Sequence, residues 1–218
     1  MGSAGPGAAG RPEGATGPLR WLLCDYGQVL CHPPSPGERA ELAGLAGRED
    51  PSFWDDYWSH RPEYDRGALT AAAYWARVLG SPPSSDHLAE LVALDTASWL
   101  HPDTDALAAA ARVAERGVRL AILSNAPLEV GSAIDAQPWL ASFSPRLFSF
   151  RLGAVKPDPA AYEAAIDALA SVAGAIAFVD DRVANVEAAR RVGLRAEVYR
   201  GPEQLERLAG IDDPVPPA

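Results

Sequence analysis

Short apolar runs that stop at polar residues recur along the chain, and each is typical of a strand buried on both faces of a parallel sheet. The first, residues 20–25, ends at a carboxylate. The second, residues 118–123, is followed by a hydroxyl, and the third, residues 175–179, by a pair of carboxylates. Residues 195–199 and 147–150 predict a fourth and a fifth strand.

Helical spacing of apolar residues alternates with these runs. Asp103 is placed to cap a helix that Gly117 ends. Pro157 and Pro159 suit the first turn of a second helix, and residues 183–193 predict a third. Strand–helix alternation of this kind indicates βαβ units, so we predict an α/β fold with a three-layer, Rossmann-like parallel sheet.

Residues 36–99 interrupt this alternation, because they contain helix-like stretches and no convincing strand. We therefore predict a helical domain inserted into an α/β core made of residues 19–35 and 100–210. Residues 1–18 are nearly all Gly, Pro, Ala, Ser and Thr, which predicts a disordered tail, and residues 211–218 predict a second flexible tail. The helix-like stretches of the insertion are residues 38–46, 53–59, 69–79 and 87–100.

Charge and composition narrow the classes of partner. The chain has 19 Lys and Arg against 29 Asp and Glu, a net charge of −10, which argues against nucleic acid or an anionic membrane as partner. No apolar run approaches the roughly 18 residues of a membrane-spanning helix, and the first residues do not resemble a secretory signal. With two cysteines, Cys24 and Cys31, no disulfide framework is available, so we expect a cytoplasmic protein.

Polar side chains follow three of the predicted strands, and a lysine precedes a helix of the same layer. In an open parallel sheet these positions meet at the carboxyl edge, where ligands bind. Clustered carboxylates suit Mg²⁺, whereas a hydroxyl and an ammonium group suit a phosphate oxyanion, and an Asp can attack a phosphoryl group. The residues are Asp25, Ser124, Asn125, Lys156, Asp180 and Asp181.

Each of these residues taken alone has an ordinary structural explanation. Asp25, Ser124 and Asp180 can cap the turns between strands and helices, and Lys156 can be a solvated surface side chain. Single motif matches carry a high rate of false positives. Four motifs in order at the ends of strands reverse that balance and favour one metal–phosphate site.

The order of these motifs resembles that of the haloacid dehalogenase (HAD) superfamily over residues 20–200. The motifs read Asp25 in LLCDYGQVL, Ser124–Asn125 in LAILSNAP, Lys156 in GAVKPDP and Asp180–Asp181 in AFVDDRVANVEAARRVG. The helical insertion, with its stretch YDRGALTAAAYWARVLG, is similar to the small cap of the phosphatase-rich subfamily I.

This resemblance implies a role for each position that matches a motif. Asn185 would orient the acidic loop, and Asp25 would be the nucleophile. The implied catalytic residues are Asp25, Ser124 and Lys156, the phosphate-binding residues are Ser124, Asn125 and Lys156, and the metal ligands are Asp25, Asp180, Asp181 and the backbone carbonyl of Gly27.

One position departs from the family pattern. Family phosphatases usually carry a second Asp two residues after the nucleophile, where it protonates the leaving group, and here that residue is Gly27. Loss of a general acid typically costs on the order of 10²- to 10⁴-fold in rate. A substrate with a good leaving group would suffer least, and His32 or His60 is a candidate substitute.

The resemblance and the residues together predict a Mg²⁺-dependent phosphatase. It would act on a small phosphorylated metabolite, for example a sugar phosphate, through an aspartyl-phosphate, as a monomer or homodimer. Two alternatives remain open at this point. The chain could bind phosphorylated metabolites without turnover, as Gly27 suggests, or it could be a 2-haloacid dehalogenase, against which the acidic pair Asp180–Asp181 counts.

Overall fold

The computed structural model describes residues 18–210, and these form a five-stranded sheet with helices on both faces. The predicted tails, residues 1–18 and 211–218, lie outside the described residues except for Pro18. The strands are all parallel and are arranged in the order β3-β2-β1-β4-β5. Their bounds are β1 (Trp21–Cys24), β2 (Arg119–Ser124), β3 (Phe143–Phe148), β4 (Ile176–Asp180) and β5 (Arg195–Val198).

The helices fall into an inserted group and a group that flanks the sheet. Helices α1 to α4 lie between β1 and β2 and form the helical insertion; they are α1 (Pro36–Leu45), α2 (Ser52–Asp65), α3 (Ala71–Leu79) and α4 (Ser85–Ala97). The flanking helices are α5 (Thr104–Glu115), α6 (Leu128–Asp135), α7 (Ser149–Leu152), α8 (Pro159–Ala168), α9 (Val183–Arg191) and α10 (Glu203–Leu208).

Alternation along the buried strands produces the three layers. In β1, Leu22 belongs to the core under α5, α6 and α10, whereas Leu23 belongs to the core under α8 and α9. The same alternation holds in β4, where Val179 and Phe178 pack on opposite faces. The predicted α/β fold with a three-layer, Rossmann-like sheet is therefore confirmed, because strands apolar on both faces require helices on both faces.

The helical insertion has an apolar core of its own. Its largest buried side chains are aromatic, and they contact one another edge to face, as Tyr57 does with Trp75 at 6.1 Å between ring centroids. Tyr64 stacks on Tyr74 at 4.4 Å. Aromatic pairs in such arrangements add about 0.5–1.5 kcal/mol each beyond area burial. These buried aromatic residues are thus structural, whereas Trp58 of the insertion is exposed.

Several sequence-based boundaries need correction. The strand predicted at residues 147–150 is β3, which begins at Phe143, and residues 149–150 belong instead to the short helix α7. The strand lies at the edge of the sheet and contains Pro145, so it lacks a continuous apolar run. Helix α2 continues through Pro62 to Asp65, beyond the predicted end at residue 59.

The predicted helix starts are confirmed in part. Asp103 caps α5, as predicted, by accepting from the backbone amide of Ala106 at 3.0 Å. Pro157, however, lies outside helix α8, which is capped by Asp158 and begins at Pro159. Within residues 18–210, no helix has both the length and the apolar character needed to cross a membrane.

Candidate active site

Three neighbouring strands end at the same edge of the sheet and carry the polar residues there. β1 lies between β2 and β4, and Cys24 at its end is in register with Ile122 and Val179. Asp25 therefore lies beside the ends of β2 and β4, at Ser124 and Asp180. All three residues are buried, so the topology brings the predicted motifs together as expected for a parallel sheet.

Lys156 is the charged centre of this cluster. Its Nζ lies 2.8 Å from Asp25 Oδ1 and 2.7 Å from Asp180 Oδ2, and the residue is only 3% exposed. Burial works to lower the pKa of Lys156, but its attraction to the two carboxylates outweighs burial and raises that pKa. The ammonium group is therefore firmly charged and holds the two carboxylates together.

The side chain of Asn125 fixes the position of Lys156. Its Nδ2 donates to the Lys156 carbonyl, and its Oδ1 accepts from the Lys156 backbone amide, both at 2.8 Å. This reciprocal pair ties the loop before α8 to the end of β2. Both polar atoms of the Asn125 side chain therefore have partners in the protein. The predicted contact of Asn125 with phosphate stays a prediction.

Asp180 is completely buried and fully surrounded by donors. Asn185 Nδ2 donates to both of its carboxylate oxygens, at 2.9 and 3.0 Å, and the backbone amide of Arg182 donates to Oδ1 at 2.9 Å. Burial opposes ionisation, but Lys156 and these hydrogen bonds outweigh it and lower the pKa of Asp180. The predicted orienting role of Asn185 agrees with these contacts.

The other two carboxylates ionise less readily. Burial raises the pKa of Asp25 to about 7, although Lys156 opposes this shift. Burial also raises the pKa of Asp181, and the adjacent Asp180 adds to that effect. Three carboxylates with one ammonium group leave an excess of negative charge, which is the environment that a cation relieves.

The three carboxylates fit a divalent metal ion. Oxygen atoms of Asp25, Asp180 and Asp181 all lie within 4.8 Å of one another. Hard oxygen ligands in this arrangement suit Mg²⁺. The loop after β1 adds to the site, because Gln28 adopts a φ of 59° and its Nε2 donates to Asp181 Oδ2 at 2.9 Å.

A cleft of about 550 Å³ opens over this edge of the sheet. The core contributes Asp25, Ser124, Lys156 and Asp181 to the cleft lining, and helix α2 of the insertion contributes another part of it. The residues that α2 contributes are Trp58, Arg61, Pro62 and Asp65. A cavity of this size is within the range of small-molecule sites.

Gly27 lies in the cleft wall against Trp99. A Cβ atom at position 27 would lie 3.4 Å from the indole ring of Trp99, in van der Waals contact. The backbone of Trp99 is held in place, because its carbonyl accepts from the Tyr26 hydroxyl at 2.8 Å. The indole therefore borders the space into which a larger side chain at position 27 would extend.

The two candidate substitutes for a general acid are the histidines His32 and His60. Among the residues that the structure describes, neither His32 nor His60 is part of the cleft lining. His32 is exposed, with its ring 3.9 Å from Asp103. No observation supports either histidine as a substitute.

Sequence reasoning missed several residues of the cleft, among them Gln28, Trp99, Arg61 and Asp65. Gln28 and Trp99 carry no recognisable signal. Arg61 and Asp65 are four residues apart on one helix, a spacing that predicts an ion pair but not a position in a cleft. Lys156, by contrast, was predicted from its motif, and it is the single lysine of the sequence.

Fold and site together define an α/β protein with a carboxylate–lysine centre at the carboxyl edge of its sheet. The chain belongs to the haloacid dehalogenase-like hydrolase family, whose model matches residues 30–193. That span includes Ser124, Lys156 and Asp180, whereas Asp25 precedes it. The family predicted from the motifs is thereby confirmed.

One curated protein is similar to this chain in sequence. Phosphatase MT3486 from Mycobacterium tuberculosis (strain CDC 1551 / Oshkosh) is 35% identical over 109 residues, which are 49% of this chain and 50% of that protein. The chain thus spans about half the length of the curated relative it matches.

The solved structures with similar folds include HAD family enzymes and haloacid dehalogenases. A HAD family enzyme from Bacteroides thetaiotaomicron is 16% identical, with a TM-score of 0.71 over 88% of this chain and 98% of that one. That enzyme has also been solved with magnesium and inorganic phosphate. The L-2-haloacid dehalogenase from Xanthobacter autotrophicus with chloropropionic acid covalently bound is 19% identical, with a TM-score of 0.60 over 82% of this chain and 76% of that one. At these identities the likeness concerns the fold.

Proposed function

We propose that the protein is a Mg²⁺-dependent phosphatase that hydrolyses a small phosphorylated metabolite through an aspartyl-phosphate on Asp25. The observation that carries the proposal is the Lys156 ammonium, which lies within 2.8 Å of both Asp25 and Asp180 beside a third carboxylate. The name of the curated relative and the magnesium–phosphate complex of the structural neighbour support the same function.

Asp25, Asp180 and Asp181 would hold the Mg²⁺ ion, with the carbonyl of Gly27 as a further ligand. When bound, the ion would neutralise phosphate charge and favour the ionised form of Asp25. The donor set fits, because three carboxylates within 4.8 Å carry more negative charge than one lysine compensates.

The protein's own groups perform the remaining steps. Asp25 attacks the phosphorus atom, and the bond to the leaving-group oxygen breaks. Ser124 and Lys156 hold the phosphoryl oxygens, so that the attack proceeds from a fixed geometry. Water then attacks the phosphorus of the aspartyl-phosphate and releases inorganic phosphate and the Asp25 carboxylate.

The helical insertion would act as a cap over the cleft. Its helix α2 already contributes one wall of the cavity, and closure over a small substrate would exclude bulk water during the attack. The cavity of about 550 Å³ agrees with a small metabolite. A sugar phosphate stays a prediction, as do a cytoplasmic location and a monomeric or homodimeric state.

Phosphate release from a panel of phosphorylated metabolites, with Mg²⁺ and with EDTA, tests this proposal. We expect release that requires Mg²⁺ and is lost in Asp25→Asn. Asp167→Asn is the matched control, because Asp167 is an exposed carboxylate on α8 that lies outside the cleft lining. Metal-independent release, or full activity in Asp25→Asn, would contradict the proposal.

The same samples separate the two alternative functions. Halide release from 2-chloropropionate without metal would favour a dehalogenase, in line with the dehalogenase neighbours. Thermal stabilisation by phosphorylated metabolites without any phosphate release would favour a binding protein. The acidic pair Asp180–Asp181 favours the metal-dependent phosphatase, since dehalogenation needs no cation.

A further inference from the structure

Cleavage of a phosphate monoester leaves a charged oxygen on the leaving group, and this oxygen needs a proton when it belongs to an alcohol. Gly27 has no side chain to supply that proton, and the indole of Trp99 borders the space beside it. Two of the three N–H donors of Lys156 face Asp25 and Asp180, and the third is the one that would hold the phosphoryl group. The donor must therefore come from another part of the cleft.

Among the described residues that line the cleft, Asp65 is the one carboxylic acid outside the cluster of Asp25, Asp180 and Asp181. The arginines of the lining, Arg61 and Arg182, cannot give up a proton at physiological pH. Tyr26 also lines the cleft, but its hydroxyl already donates to the Trp99 carbonyl at 2.8 Å, which leaves Asp65 as the candidate donor.

Asp65 is fastened close to the proposed phosphate-binding loop. Ser149 Oγ donates to the Asp65 carbonyl at 2.5 Å and accepts from the Ala126 backbone amide at 2.9 Å. Ala126 lies two residues after Ser124 and also lines the cleft. One hydroxyl thus links the end of α2 to the loop that would bind phosphate.

A second contact holds the same end of the helix. The Tyr64 hydroxyl donates to Glu129 on α6 at 2.7 Å. Two side-chain bridges on adjacent residues therefore fix where the Asp65 backbone lies relative to the sheet edge.

The carboxyl group of Asp65 has one oxygen bonded and one available. Arg61 Nε donates to Oδ1 at 2.8 Å, while Oδ2 makes no hydrogen bond within residues 18–210. Arg61 is shared, because its Nη1 also lies 3.1 Å from Asp95 Oδ2. Burial raises the pKa of Asp65 even though Arg61 opposes the shift, and this favours the protonated form that an acid requires.

We propose that Asp65 is a further catalytic residue of this enzyme, acting as the acid and base that Gly27 does not supply. The inference rests on the proposed phosphatase activity. As Asp25 forms its bond to phosphorus, the bond to the leaving oxygen breaks, and the Asp65 carboxyl gives its proton to that oxygen. The Asp65 carboxylate then takes a proton from water, whose oxygen attacks the phosphorus and displaces Asp25.

A comparison of two leaving groups tests this role. In Asp65→Asn, hydrolysis of an alkyl phosphate, whose alcohol needs a proton, should fall on the order of 10²- to 10⁴-fold. Hydrolysis of p-nitrophenyl phosphate, whose phenolate leaves without a proton, should fall much less. The ratio of the two rates within one sample does not depend on the fraction of folded protein, so it remains informative if the variant is less stable.

Asp95→Asn is the matched control. It also removes one carboxylate from Arg61, but Asp95 is not part of the cleft lining, so both rates should fall by the same factor. An equal loss on both substrates in Asp65→Asn, or no loss, would overturn the inference while leaving the phosphatase proposal intact. A wild-type protein inactive on both substrates would instead contradict the proposed function itself.

Discussion

Replacement of Lys156 by methionine is the most informative perturbation of the site, because it removes the cation between two buried carboxylates. Nζ lies 2.8 Å from Asp25 and 2.7 Å from Asp180. The methionine side chain has a similar length and leaves the backbone contacts to Asn125 in place. The change therefore isolates the charge.

The expected cost follows from these two distances. At an effective dielectric constant of about 20, two unit charges about 2.8 Å apart attract by about 6 kcal/mol. Desolvation of the buried ammonium cancels much of the sum for the two pairs. Breaking a buried pair by removing one partner typically costs about 3–5 kcal/mol, because the remaining charge stays buried without compensation. We expect a loss of this size in the free energy of unfolding.

Urea denaturation at pH 8 in EDTA, followed by tryptophan fluorescence, measures this loss. In an Asp25→Asn background the same lysine replacement should cost about 1–3 kcal/mol less, because one of the two orphaned carboxylates is already gone. Lys156→Arg keeps the charge but replaces a compact ammonium by a planar guanidinium, so we expect an intermediate loss. A cost below about 1 kcal/mol, or one equal in both backgrounds, would refute the assignment of Lys156 as the counter-charge.

Three further changes probe the carboxylates and the junction between the insertion and the core. Because burial raises the pKa of Asp25 to about 7, the folded protein binds this proton more tightly than the unfolded chain, and stability decreases as pH rises through that value. Asp25→Asn in EDTA should therefore melt at a higher temperature than wild type at pH 8, with the advantage shrinking toward pH 5; a constant difference would contradict this. Asn185→Ala removes two hydrogen bonds to Asp180 and should weaken Mg²⁺ binding about 10- to 100-fold, measured by metal-dependent thermal stabilisation; unchanged affinity would argue against the orienting role. Gly67 and Gly80 have similar positive φ values of 76° and 74°, but a Cβ atom at position 67 would lie 3.2 Å from a backbone oxygen, whereas one at position 80 would meet open space. Gly67→Ala should therefore be the more destabilising change in urea titrations, and equal losses would contradict it.

The sequence was most informative where burial is complete. The strands β1, β2 and β4 are apolar on both faces, so their runs could be recognised and the polar residues at their ends could be assigned to one edge. The edge strand β3 escaped full recognition, because Pro145 and a half-buried surface break its pattern. Motif spacing alone likewise could not show that Asn125 uses its side chain to hold the backbone of Lys156.

The part of the cleft lining that α2 contributes could not be predicted, for a different physical reason. Arg61 and Asp65 share one face of α2, and their spacing of four residues predicts that the two side chains meet. Which face of a helix covers a cleft depends on how the helix docks, and here docking is set by contacts distant in sequence. The hydrogen bond from Ser149 to the Asp65 carbonyl joins residues 84 positions apart.

The insertion gives a structural reason for Gly27, which lies two residues after the proposed nucleophile Asp25. Trp99 lies between α4 and α5, and its carbonyl accepts from the Tyr26 hydroxyl and from Cys31 Sγ at 2.8 and 3.1 Å. It thereby fastens the end of the insertion to the loop that follows β1, and its ring packs against Gly27. A Cβ atom at position 27 would contact this ring, and a longer side chain would compete with it. The packing of the insertion thus favours a small residue at position 27, and the same insertion brings Asp65 to the cleft, so Gly27 does not by itself indicate a degenerate site.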